Sequence, residues 1–70
     1  MYIRIRYDTD DNVYVIHLHG EPDGEIREEV ATITEAWNTA IVMSQEIKGC
    51  RGITATERIQ KELKKIGVKI

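Results

Sequence analysis

The sequence predicts an α+β fold: an antiparallel β-hairpin or three-stranded sheet packed by two helices, in one domain spanning residues 1–70. Three observations predict it. Residues 2–7 and 13–19 alternate with period two and are rich in β-branched and aromatic residues. Later segments space apolar residues three and four apart. Turn-forming clusters of Asp, Asn, Gly and Pro separate the early segments.

The first two elements form the hairpin. Ile3, Ile5 and Tyr7 share one face of strand one, and Tyr2, Arg4 and Arg6 the other. Strand two sets Tyr14, Ile16 and Leu18 against Val13, Val15, His17 and His19. Asp8-Thr9-Asp10-Asp11-Asn12 is the turn between them. The Asp8-x-Asp10-x-Asn12 start resembles a calcium loop, but Val13 and His19 stand where the glycine and final glutamate belong.

A second turn, Gly20-Glu21-Pro22-Asp23-Gly24, precedes a segment open to two readings. Ile26, Val30, Ile33, Trp37, Ala40, Ser44 and Ile47 fit one long helix from about residue 24. Against this, Thr32-Ile33-Thr34-Glu35 is a capping box and residues 30–34 are β-branched-rich. The balance favours a third strand at about 25–30, then a helix at about 33–48. A second helix, about 55–66, follows the capping box Thr54-Ala55-Thr56-Glu57. Its stripe is Ile59, Leu63 and Ile66, with Gly67 as its C-terminal cap. Val68-Lys69-Ile70 reads as a short closing strand. The expected core is Ile3, Ile5, Tyr7, Tyr14, Ile16, Leu18, Ile33, Trp37, Ala40, Ile41, Ile47, Ile59, Leu63 and Ile66.

Composition narrows the function classes. Hydrophobic residues make up 41% and charged residues 31%, a globular balance that argues against a disordered chain. No apolar run reaches membrane-span length and no signal-peptide pattern opens the chain, so the expected setting is cytoplasmic, without a membrane partner. A lone Cys50 cannot close an internal disulfide, which fits a reducing compartment. A 70-residue core leaves a thin stability margin that self-association would widen. The net charge of −2 hides segregation: residues 1–35 carry nine acids against three Arg, and residues 36–70 carry seven bases against three Glu. Complementary surfaces within the fold, head-to-tail pairing of subunits and an acidic partner for the C-terminal half all fit this split.

The segment from Ile47 to Glu57 holds two glycines, two cations and the cysteine, ahead of a helix N-terminus. Free N–H groups there suit an anion. Gly49-Cys50-Arg51-Gly52 resembles the GXXG loop of KH domains, and Gly67-Val68-Lys69-Ile70 is similar to the end of a KH second helix running into a strand. The resemblance covers residues 47–70. It departs at Lys48, in the apolar spacing after Gly52 and in helix length. It implies a single-stranded nucleic-acid binder using Lys48, Gly49, Arg51, Gly52, Thr54, Arg58, Lys61 and Lys65, with Arg4 and Arg6 as further cations. The order of hairpin, Asp-Gly turn, third strand and Thr-x-x-Glu-Ala helix start is similar in layout to the antitoxin-type HicB fold, on Tyr7 to Tyr14 and Thr32 to Ala36. The proline-glycine-cysteine signature of that fold is missing after strand two, and the layout carries no function across.

Catalytic and metal chemistry find little support. Cys50 has cations beside it but no positioned base in the sequence. His17-x-His19 places two imidazoles on one strand face without a third ligand. No cofactor motif is present. The outer hairpin face, Tyr2, Arg4, Arg6, Val13, Val15, His17 and His19, is neither clearly polar nor clearly core. With Val42 and Met43 off the main helix stripe, it points to a small non-enzymatic interaction or regulatory module, self-associating or engaging a protein partner. The alternative is the single-stranded nucleic-acid binder.

Overall fold

A computed structural model of the chain describes residues 1–19 and 27–69. The fold is α+β, with the order β1 (Tyr2–Asp8), β2 (Val13–His19), β3 (Arg27–Val30), α1 (Ile33–Glu46), β4 (Ile53–Ala55) and α2 (Glu57–Lys65). The sheet is mixed and four-stranded, ordered β3-β2-β1-β4. β1 and β2 pair antiparallel from Tyr2↔His19 to Asp8↔Val13, and β3 adds antiparallel to β2 from Tyr14↔Val30 to His17↔Arg27. Residues 25 and 26 of the expected third strand lie outside the described residues. Asp8 shapes the hairpin turn, its Oδ1 accepting from the backbone N–H groups of Asp10 (2.9 Å) and Asp11 (3.3 Å). Asn12 closes the turn with φ +56°, a conformation Asn tolerates.

β4 is the main correction to the sequence reading. It runs parallel to β1, with Ile53 beside Ile3 and Ala55 beside Ile5. The chain therefore does not pass from helix to loop to helix. Ile53 and Ala55 pack against the core, and Thr54, read as a helix-capping residue, is instead a strand residue whose hydroxyl donates to the Ile3 carbonyl at 3.4 Å. Thr56 is the N-cap, so α2 starts at Glu57 rather than at 55. α1 starts as expected, with Thr32 Oγ1 accepting from the Glu35 N–H at 3.1 Å. It stops at Glu46, two residues early, because Ile47 turns extended. Val68 and Lys69 form no closing strand, and Ile70 lies outside the described residues. The Gly67 and Val68 N–H groups instead donate to the Lys64 and Leu63 carbonyls at 3.1 and 2.9 Å. With Gly67 at φ +92°, this is a Schellman cap, which ends the helix and folds Val68 back onto the core.

Both helices pack on the same side of the sheet. Ile3, Ile5, Ile16 and Leu18 meet Ala36, Ala40 and Met43 of α1 and Ile59 and Leu63 of α2 in one buried cluster. Ala36 and Met43 were not expected in the core. Tyr7, Tyr14, Ile33, Trp37 and Ile47 surround the cluster as partly buried residues, Ile41 is half-buried outside it, and Ile66 is 45% exposed. α1 is thus turned so that its small residues, not Trp37, lie closest to the sheet, which lets helix and strands approach. Val42 remains 49% exposed, whereas Met43 is buried in the core cluster; both line one shallow depression on α1. Among the described residues, no helix is long and apolar enough to cross a membrane.

Candidate functional site: the open face of the sheet

Strand pairing decides which side chains share the face opposite the helices. Tyr2 stands beside His19, Arg4 beside His17, Arg6 beside Val15, and Asp8 beside Val13. β3 extends the middle rows, placing Arg27 next to His17 and Glu29 next to Val15. β4 adds Thr54 next to Arg4. The seven outer-face residues expected from the sequence are therefore brought together. Four more join them that sequence reasoning missed: Asp8, which the sequence places in the turn, with Arg27, Glu29 and Thr54. Arg27 and Glu29 alternate correctly, but the strand-or-helix ambiguity of their segment masked this; Thr54 was assigned to a cap.

The face is a sequence of rows with different chemistry. At one end the Tyr2 and His19 rings lie 4.8 Å apart, tilted by 37°, and His17 stands edge-on to His19 at 6.3 Å. In the middle are Arg4, Arg6 and Arg27. Among the described residues, only Arg27 of these makes an ion pair, with Glu29 at 3.6 Å; both partners are about half exposed, so the pair is worth little. At the far end lie Asp8 and the acidic turn. Val15 sits at the centre and is fully buried although neither helix reaches that side. Its cross-strand neighbours are Arg6 and Glu29, and the long Arg6 stem is suited to covering it.

The cations leave a mark on His17. Burial first, then the nearby charges of Arg6, His19 and Arg4, hold its pKa below the ordinary 6.5. Arg27 across the β2–β3 pairing carries charge of the same sign. Above the ordinary value His17 is neutral in both folded and unfolded chains. As pH falls below it the unfolded chain takes up a proton that the folded chain resists, so stability drops. His17→Gln is expected to flatten this part of the stability–pH curve, below about pH 6.5. Urea midpoints across that range check it; an unchanged slope in the variant would remove His17 as the cause.

The glycine-loop residues are placed differently. The Arg51 N–H donates to the Met1 carbonyl and the Ile3 N–H to the Gly52 carbonyl, both at 2.9 Å, so the loop is tied to the start of β1. Lys48, Gly49 and Arg51 are exposed there. Arg58 is at the other end of the strand, its guanidinium carbon 4.3 Å from the centre of the Tyr7 ring. Four residues of strand, about 13 Å, separate the two ends. Lys61 and Lys65 follow Arg58 along α2, with Lys61 3.7 Å from Glu57 in an exposed pair. Arg58 and the loop cations thus do not converge. Cys50 packs partly buried against the core, its thiol donating to the Gly52 carbonyl at 3.5 Å.

Among the described residues, no group of three or more His, Cys, Asp and Glu side chains is placed to hold a metal. No protein-family model matches the chain, and no curated protein and no solved structure matches it either.

Proposed function

We propose that the protein is a small non-enzymatic interaction module whose working surface is the open face of its sheet. The observation that carries this reading is the placement of both helices on one side, which leaves a face of rings, arginines and a buried valine uncovered among the described residues. A purely solvated sheet face would be polar throughout. Self-association through this face is the narrower form of the reading. It would bring Arg4, Arg6 and Arg27 of two copies together, so the charge pattern favours an anionic partner over a second copy.

The test is capture from cell extract on immobilised protein, comparing the wild type with an Arg4→Glu/Arg6→Glu variant and with Lys61→Glu on α2. A partner of any class that the wild type and Lys61→Glu retain, and the double variant loses, is the expected result. Equal retention by all three would sink the reading. Sedimentation equilibrium on the same proteins reports the self-associating form.

A further inference from the structure

We infer that the occupant of the open face is a single-stranded nucleic acid, its bases stacked on the Tyr2–His19 ring pair and its phosphates held by Arg4, Arg6 and Arg27. This rests on the reading of the face as the working surface and names its partner. The argument begins with charge. The chain is acidic overall, which by itself opposes phosphate binding. The fold reduces that objection by where it places the cations. Three arginines share one face with Glu29, which pairs with Arg27 at 3.6 Å, and with Asp8 at one end, so Arg4 and Arg6 are left without an ion-pair partner among the described residues.

Chemistry then separates nucleic acid from an acidic peptide. A peptide carboxylate would use the arginines and leave the rings idle. A nucleotide uses both, since each base offers a face to stack and each step along the strand offers a charge. The rings stand on the two central strands, at the end away from the Asp8, Asp10 and Asp11 cluster. Arg4 and Arg6 continue in line from Tyr2 at every second residue, about 7 Å apart, a step comparable to that between phosphates of an extended strand. From Tyr2 to Arg6 the row is about 13 Å long, so the site is short and ends where Asp8 begins to repel phosphate. A duplex cannot splay its bases onto such a platform, so single strands are selected.

The experiment is an amide NMR titration of the whole chain with single-stranded RNA and, separately, DNA of mixed sequence, on the order of eight nucleotides. Shifts are expected on Tyr2, Arg4, Arg6, His17, His19 and Arg27. With about three phosphate contacts, affinity should fall about 20-fold from 50 to 200 mM salt. Tyr2→Ala should weaken binding roughly 5- to 150-fold with the salt slope kept. Arg4→Gln/Arg6→Gln should reduce the slope by about 1.4. Native amide dispersion in each variant guards against loss of fold. RNA and DNA arms that differ report whether the 2′-hydroxyl is read; equal arms place recognition in stacking and charge, and both outcomes support the site. Shifts confined to Gly49–Thr56 or α2 would overturn both this inference and the reading beneath it. A silent titration overturns the inference alone if the capture experiment still finds a protein partner that depends on Arg4 and Arg6.

Discussion

Ile5→Ala is expected to remove most of the stability of the fold at 25 °C. Ile5 is fully buried on a central strand, with Ile16 beside it on β2 and Ala55 beside it on β4. Truncating a buried Ile to Ala removes its transfer free energy and leaves a cavity, together about 2–5 kcal/mol. A core of this size rarely supplies more than about 3–5 kcal/mol in total. The two ranges overlap, so one substitution consumes most of the margin. The short β4 makes relaxation around the cavity unhelpful, because its three residues hold their place partly by packing on this row. Urea denaturation followed by circular dichroism checks the expectation. A variant that unfolds cooperatively with nearly the wild-type midpoint would mean that the β1–β4 seam contributes little to stability. Ile66→Ala provides the contrast: Ile66 continues the Ile59–Leu63 stripe in sequence but is 45% exposed, and it should cost well under 1 kcal/mol.

The hairpin and its inward face were legible in the sequence because period-two alternation is a local signal. Each residue announces its side, and the acidic turn sets the register. The start of α1 was legible for a similar reason, since Thr32 caps Glu35 within a single turn. β4 was not. Ile53-Thr54-Ala55 is too short for a period to emerge, and Thr54 with Glu57 imitates a capping box. Only a partner far away in the chain, β1, reveals it as a strand. The rotation of α1 was hidden as well: a stripe through Trp37 and one through Ala36, Ala40 and Met43 are adjacent rows of one helix, and the sheet chooses between them. The outer face was partly visible as a set of residues that are neither core nor plainly solvated. Its extension by Arg27 and Glu29, and the burial of Val15, depend on β3 lying alongside β2. That is a tertiary fact with no local signature.

Gly52→Ala should destabilise the fold by about 1–3 kcal/mol while leaving the salt slope of oligonucleotide binding unchanged. Gly52 has φ +149°, a conformation side chains other than glycine rarely adopt. An added Cβ would meet no atom within 4 Å, so the cost is backbone strain and not collision. The strain cannot easily relax, because the Gly52 carbonyl accepts the Ile3 N–H at 2.9 Å one residue before β4 begins. Moving it disturbs the seam on which Ile5 depends. This gives the glycine a topological reason to be present: it turns the chain from the end of α1 into a strand parallel to β1. A glycine that existed to let a phosphate backbone approach would behave differently. Its substitution would weaken binding directly, and the salt slope would fall with it. Thermal denaturation and a salt titration on one Gly52→Ala sample separate the two. Lost stability with an unchanged slope assigns the loop to the fold and the face to the ligand, whereas unchanged stability with lost binding would return the site to the glycine loop.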